Sequence, residues 1–145
     1  MEVHSLKRFV DWPRLKEVLI QQLGKPYRFG AEVQLHNTNP TEFDCSELIE
    51  WAYAQIGVKA PDGSYNQFND SVPVLTTCQF GDLAFFKRPD GGPVYHVGLL
   101  LNNLSLIEAR GKPYNKVKLT PLSEWVQHPN FTGFRRLKVV LDSTI

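Results

Sequence analysis

Cysteine is scarce in this chain, with only Cys45 and Cys78 among 145 residues. Two cysteines do not make a disulfide framework, and these two lie in different local settings, so we expect no disulfide between them. The sequence also has no Cys-X-X-Cys motif and no histidine-rich tract. This argues against a structural zinc site, and nothing in the sequence implies a metal or an organic cofactor.

Long apolar runs and an excess of charge are missing as well. No apolar run approaches the roughly 18–20 residues that a membrane-spanning helix requires, and residues 1–8 lack the apolar core of a secretory signal. The net charge is +1 and the basic residues are scattered, so no nucleic-acid surface is indicated. With 42% hydrophobic and 21% charged residues, the composition predicts one globular domain over residues 1–145.

The hydrophobic pattern changes period halfway along the chain. The predicted helices lie at residues 12–23, 45–56, 64–70 and 121–127. The predicted strands lie at residues 82–86, 94–101, 104–109, 116–119 and 133–141. Helices first and an antiparallel sheet afterwards predict an α+β fold, with the N-terminal helices packed on the sheet.

Cys45 lies in the first turn of the second predicted helix. Asp44 precedes it as a candidate N-cap, and Asp44 with Glu47 has the spacing of a capping box. At a helix N-terminus the backbone N–H groups and the helix dipole favour negative charge, so we expect a lowered pKa for the Cys45 thiol. A thiolate at neutral pH is a nucleophile, and the helix start therefore indicates a cysteine hydrolase.

The second half of the chain supplies partners for a nucleophilic thiol. His96 lies in the predicted strand 94–101, and a turn at residues 102–103 would return the next strand alongside it, bringing Glu108 close to His96. Cys45, His96 and Glu108 would then be nucleophile, base and orienting acid. The alternatives are an inert buried cysteine, a core histidine, and a glutamate paired with a neighbouring cation.

Five sequence blocks, taken in order, resemble the NlpC family of papain-like cysteine peptidases, which cut peptidoglycan stem peptides. The blocks are residues 24–30 (GKPYRFG), 44–46 (DCS), 80–86 (FGDLAFF), 95–99 (YHVGL) and 106–111 (LIEARG). The resemblance implies a papain-like fold with Cys45 as the nucleophile and His96 as the general base. It also implies that Glu108 is the third polar group and that Tyr27 assists the oxyanion site.

The resemblance gives the neighbours of the nucleophile a role in binding substrate. In the family, residues at the positions of Asp44 and Ser46 hold the free amine of an N-terminal L-alanine on the stem peptide. Asp44 could instead act only as the N-cap of its helix. The family usually has glycine at the position of Glu47, so this chain places an acid near the nucleophile where other members have no side chain.

The function expected from residues and resemblance together is a cysteine endopeptidase acting on stem peptides, at the γ-D-glutamyl–diamino acid bond. We expect a monomer, made in the cytoplasm and delivered to the periplasm or wall of a target bacterium. The delivered enzyme would be a secreted antibacterial toxin, such as a type VI secretion effector, or a phage lysin. A toxin would require a cognate immunity protein in its producer.

Three alternatives remain open at this stage. A cytosolic enzyme that recycles muropeptides is compatible with the same residues. The reaction could instead be that of an amidase or acyltransferase on another amide. The chain could also be a catalytically silent module that binds stem peptides.

Overall fold

The computed structural model describes the backbone of residues 10–143 and the side chains of residues 10–141. Within this part of the chain the helices are α1 (Trp12–Ile20), α2 (Cys45–Ala54), α3 (Ser64–Asn69), α4 (Leu122–Gln127) and α5 (Lys138–Ser143). The strands are β1 (Ser71–Pro73), β2 (Leu83–Lys87), β3 (Val94–Leu100), β4 (Ser105–Arg110), β5 (Lys116–Pro121) and β6 (Phe131–Leu137). Residues 1–8, on which the expectation about a secretory signal rests, lie outside the described residues.

The strands form one sheet in which every neighbouring pair is antiparallel. The order of the strands is β1-β6-β2-β3-β4-β5. Helices precede most of this sheet along the chain, so the predicted α+β class is confirmed. In the described residues, no helix has the length and apolar character that crossing a membrane would demand.

One face of the sheet packs against α1, α2 and α3 and forms the main core. Asp11 starts α1 because its side chain accepts a hydrogen bond from the backbone N–H of Arg14. Leu15 and Leu19, four residues apart on α1, are fully buried in this core. Asp44 caps α2, as predicted, and α2 lays Leu48 and Ile49 against the strands.

The opposite face of the sheet carries a smaller cluster that α4 covers. Successive side chains of a strand point to opposite faces, so Phe85 of β2 belongs to the main core and Phe86 to the smaller cluster. Trp125 of α4 is fully buried there and stacks on Phe86, with ring centroids 4.1 Å apart. This second face bears His96 and Glu108 of the site described below.

The chain departs from the predicted elements at its C-terminal end. The predicted strand 133–141 ends at Leu137, and α5 follows it. Leu137 and Val140 are both buried in the main core, and a spacing of three residues places two side chains on one side of a helix but on opposite faces of a strand. Packing therefore overrides the β-propensity of the valines.

A short strand at residues 71–73 was not predicted. It pairs with β6 at the edge of the sheet, and an edge is where a strand tolerates a proline such as Pro73.

The predicted capping box at the start of α2 is wrong in its second member, Glu47. Its carboxylate accepts a hydrogen bond from the backbone N–H of Val33 and not from that of Asp44.

A buried ion pair joins the start of β2 to β6. Asp82 is 1% exposed, and its two carboxylate oxygens lie 2.7 and 2.9 Å from Nε and Nη2 of Arg136. One of these oxygens also accepts a hydrogen bond from the backbone N–H of Gln79. The pair fixes the Gly-Asp turn that leads into β2.

We expect Arg136→Met to lower the free energy of unfolding by ~2–4 kcal/mol, because it leaves a buried carboxylate without its counterion. Denaturant unfolding of both proteins measures the change. Arg14→Met is the control, since the pair between Arg14 and Glu17 is exposed and its loss should cost less than about 1 kcal/mol. Equal losses in the two variants would contradict a structural role for the buried pair.

Candidate active site

Cys45 is the first residue of α2 and lies against β3. Its side chain is buried, and its Sγ lies 4.0 Å from the carbonyl oxygen of Tyr95. The backbone N–H of Val97 also stabilises the negative form of the sulfur. Tyr95 and Val97 flank His96, so the sulfur meets the strand at the position of the histidine. Both Cys45 and Cys78 are free thiols, as the sequence predicts.

His96 and Glu108 are in direct contact. Nε2 of His96 lies 2.6 Å from Oε1 of Glu108, and both residues are buried. The register of β3 on β4 pairs Leu99 with Ile107, which sets Glu108 opposite Gly98, two residues along the strand from His96. The predicted contact between His96 and Glu108 therefore runs diagonally across the two paired strands. With Nε2 donating to the carboxylate, Nδ1 is the ring nitrogen that is left to accept a proton.

Glu108 is held by more side chains than the sequence indicates. Its Oε2 accepts hydrogen bonds from the Thr120 hydroxyl, from Nε1 of Trp125 at 3.1 Å and from Nη1 of Arg110 at 3.2 Å. Burial opposes the charge, but the hydrogen bond and charge of His96, followed by Thr120 and Arg110, hold the pKa of Glu108 at about 2. The carboxylate is therefore ionised and fixed in place.

Thr120 and Trp125 are the functional candidates that sequence reasoning missed. Thr120 directly precedes the predicted helix 121–127, but it does not cap α4, which has Pro121 at its N-cap position and no capping side chain. Thr120 belongs to β5, where Lys118 pairs with Glu108, and the period of two places both side chains on the same face. The alternation of side chains along β5 was the sequence signal that could have placed Thr120 on the same face as Glu108.

Gly98 explains why the strand approaches Trp125 so closely. A Cβ at this position would lie 3.0 Å from Cζ2 of Trp125 and 3.5 Å from Cβ of Glu108. Any larger residue would push Trp125 away from the carboxylate to which it donates. The glycine of the His-Val-Gly block therefore makes room for the side chain that supports Glu108.

Tyr27 lies near Cys45 and Asp44, and its part in an oxyanion site stays a prediction. Its ring packs on Gly111, and the residue is half-buried. Burial, with smaller effects from the negative charges of Cys45 and Asp44, raises the pKa of Tyr27 to about 12. The phenol keeps its proton at neutral pH and can donate a hydrogen bond.

Asp44 and Ser46 line a cavity of about 560 Å³ on one side of Cys45. We call it the acidic cavity, because its walls carry five carboxyl groups, those of Glu32, Asp44, Glu47, Glu50 and Asp62. Residues 30–35 form another part of its wall. Asp44 accepts hydrogen bonds from the backbone N–H groups of Ser46 and Gly30.

Glu47 contributes to a cluster of three carboxyl groups in this cavity. Oxygens of Glu47, Glu50 and Asp62 lie within 4.8 Å of one another, an arrangement that either a cation or a shared proton can stabilise. Burial, followed by the charges of Glu47 and Asp62, raises the pKa of Glu50 to about 8. Burial also raises the pKa of Glu47. At neutral pH the cluster therefore holds a proton.

The expectation of a lowered pKa for the Cys45 thiol is wrong. Burial is the largest effect and raises this pKa, and the carboxylate of Asp44 raises it further. The backbone N–H groups of Val97 and Ser46 at the helix start act in the opposite direction but are outweighed. The thiol is protonated at neutral pH, so it requires a base to become a nucleophile.

We expect Thr120→Val to lower the free energy of unfolding by ~1–3 kcal/mol, because it removes a hydrogen bond to a buried charge while keeping the side-chain shape. Denaturant unfolding is the measurement. Thr132→Val is the matched control, since the half-buried Thr132 hydroxyl donates only to the neutral carbonyl of Phe85 at 3.3 Å. A control that loses as much stability as Thr120→Val would contradict the support assigned to Glu108.

We expect Glu50→Gln to remove part of the pH dependence of stability. A folded-state pKa of about 8, against the usual 4.5, gives stability that is complete below pH 4.5 and is lost as the pH rises through 8. The melting temperature of the variant relative to wild type should therefore increase from pH 5 to pH 8.5. The exposed Glu124→Gln should give a constant difference over this range, and a constant difference for Glu50→Gln would refute the shared proton.

Comparison with known proteins identifies the family. The model of the NlpC/P60 family matches residues 24–136. The chain is 32% identical over 125 residues to murein DD-endopeptidase MepH of Escherichia coli, covering 82% of this chain and 43% of that protein. It is 30% identical over 129 residues to the bifunctional muramidase/DL-endopeptidase CwlT of Bacillus subtilis, covering 86% of this chain and 36% of that protein.

A solved structure supports the same assignment. The peptidoglycan hydrolase RipB of Mycobacterium tuberculosis superposes with a TM-score of 0.68 at 29% identity, over 94% of this chain and 67% of that chain. The chain spans less than half the length of the two curated relatives. Its helices and antiparallel sheet have the papain-like arrangement of these domains, and the chain belongs to the NlpC/P60 family.

Proposed function

We propose that this protein is a cysteine endopeptidase that hydrolyses peptidoglycan stem peptides at the γ-D-glutamyl–diamino acid bond. The observation that carries the proposal is the position of Cys45 at a helix start, with its sulfur against the backbone of Tyr95 and Val97. These two residues flank His96, whose ring is held by the buried Glu108. Relatives named as murein endopeptidases support the substrate class.

The first step in this mechanism is proton transfer from the thiol to the histidine. Nε2 of His96 is occupied by Glu108, so Nδ1 would take the proton from Sγ of Cys45. The raised thiol pKa favours this transfer during attack over a thiolate formed in advance. The ionised Glu108 stabilises the imidazolium that results.

The sulfur would attack the peptide carbonyl as its proton moves to His96, and a tetrahedral intermediate would form. The backbone N–H of Cys45 at the start of α2 and the hydroxyl of Tyr27 are the donors available to its oxyanion. His96 would return the proton to the leaving amine as the intermediate collapses to a thioester. Water activated by the same ring would hydrolyse the thioester and regenerate the thiol.

The acidic cavity supports the choice of bond. Cleavage after γ-D-glutamate leaves an acyl fragment, L-alanyl-γ-D-glutamate, whose free ammonium group suits a site lined by Asp44 and Ser46. Capping of α2 uses one oxygen of Asp44, and a carboxylate oxygen has lone pairs for further donors. At a D-alanyl crosslink the residue before D-alanine is a diamino acid, so the acyl side would carry a side-chain ammonium group next to the cut and not the ammonium group of an N-terminal L-alanine.

Delivery and location stay predictions of the sequence. The delivered lytic enzyme, whether secreted toxin or phage lysin, would act in the periplasm or wall of a target bacterium. The cognate immunity protein belongs to the toxin alternative alone. A monomer is sufficient for the proposed chemistry, because all residues assigned to it come from one chain.

We expect Cys45→Ala to lower the hydrolysis of stem peptides that have been freed from sacculi, and so carry an N-terminal L-alanine, by at least about 10³-fold, since the nucleophile is lost. Mass analysis of the digest should show new N-terminal diamino acid residues with wild type. Cys78→Ser is the matched control and should retain activity. Full activity of Cys45→Ala would exclude the mechanism.

The same digests separate the alternatives. A Cys45-dependent product cut at a D-alanyl crosslink would keep the endopeptidase but contradict the proposed bond. Turnover of other amides with intact stem peptides would indicate an amidase or acyltransferase. Binding of stem peptides without any turnover would indicate a silent module.

A further inference from the structure

A second cleft lies at the part of β3 whose backbone contacts the Cys45 sulfur, and among the described residues it shares no lining residue with the acidic cavity. Its volume is about 440 Å³, within the range of roughly 300–1,000 Å³ typical of small-ligand sites. Tyr95, whose carbonyl contacts the Cys45 sulfur, and His96 line it together with three cations, Arg88, Arg110 and Lys112. We call it the basic cleft, since no carboxylate is among its lining residues in the described part of the chain.

The three cations differ in how they are held. Arg110 contacts Glu108 at 3.2 Å and lies over the rings of Phe86 and Tyr114, at 5.8 and 5.5 Å from their centroids. Its charge is partly neutralised by Glu108, and it forms a fixed wall of the cleft. Arg88 and Lys112 are exposed, and among residues 10–141 neither has a carboxylate within 4.0 Å.

We infer that the basic cleft binds the leaving-group residue of the substrate and that Arg88 and Lys112 bind its free carboxylate. This inference rests on the proposed function. His96 must protonate the leaving amine, so the leaving residue has to lie against the surface that contains His96. That surface is the basic cleft, whereas Asp44 and Ser46 on the acyl side line the acidic cavity.

The charge of the cleft determines which group it binds. Once its amine has reacted, the anionic group that a leaving amino acid or short peptide carries is a carboxylate. Arginine and lysine side chains form charge-assisted hydrogen bonds with carboxylates, and these bonds are stronger than those between neutral groups. The cleft should therefore favour short stem peptides with a free carboxylate near the cleaved bond over peptides whose carboxylate is amidated.

A pair of tripeptides tests this preference. One is L-Ala-γ-D-Glu-L-Lys with a free C-terminal carboxylate, and the other is the same peptide with a C-terminal carboxamide. We expect the wild type to have a kcat/KM about tenfold higher for the acid. Arg88→Gln and Lys112→Gln should each lower this acid-to-amide ratio by about threefold or more, with little change in kcat/KM for the amide.

Lys87→Gln is the matched control, since it removes an exposed positive charge one residue from Arg88. Lys87 lines a separate cavity with Tyr65 and Phe68, so its loss should leave the ratio unchanged. An unchanged ratio in both cleft variants, or no acid preference in the wild type, would overturn the inference while Cys45-dependent turnover left the proposed function standing.

If neither peptide is cleaved, the proposed function is contradicted. Binding measurements then test whether the basic cleft recognises a carboxylate. Calorimetry on the Cys45→Ala protein would compare the leaving dipeptide L-Lys-D-Ala with its C-terminal carboxamide. Tighter binding of the acid that is lost in Arg88→Gln and kept in Lys87→Gln would support the cleft as a carboxylate site. Equal binding of acid and amide would overturn it.

Discussion

The carboxylate of Glu108 is fully buried and is in contact with side chains of four elements: His96 of β3, Arg110 of β4, Thr120 of β5 and Trp125 of α4. A buried charge is stable only when such partners replace water. The need to surround this one carboxylate therefore ties α4 to the sheet. It also fixes the ring of His96, the residue between Tyr95 and Val97, whose backbone groups contact the Cys45 sulfur.

This arrangement changes how the nucleophile can be activated. A helix start alone favours a thiolate, but Cys45 is buried beside the carboxylate of Asp44, and both effects raise its pKa. The charge in the resting site lies on Glu108 and not on sulfur. In the proposed mechanism proton transfer to His96 is therefore coupled to attack, and the fixed carboxylate would stabilise the positive ring that forms.

Local sequence signals were sufficient to predict the β3–β4 hairpin. They were insufficient to predict the side chains from other elements that surround Glu108. The turn at residues 102–103 and the strands beside it predicted the meeting of His96 with Glu108, because a hairpin sets its own register. Thr120 and Trp125 reach Glu108 only through the pairing of β5 and the return of α4 across the sheet. The prediction of a lowered pKa for Cys45 was wrong for the same reason, because the burial of its side chain depends on the assembled fold and not on the local sequence.

The net charge of +1 conceals a separation of charge that matters for the site. Five carboxyl groups line the acidic cavity and three cations line the basic cleft. Cys45 lies in the chain between Asp44 and Ser46 of the cavity, and its sulfur contacts Tyr95 of the cleft. A peptide with an ammonium group on its acyl side and a carboxylate on its leaving side can bind in one direction, because the reverse direction sets like charges together. Over the ~8–10 Å at which such interactions persist in physiological salt, this orientation is favoured before any side-chain fit. Glu47, where the family usually has glycine, adds to the acidic side, so the departure strengthens the orientation of the substrate.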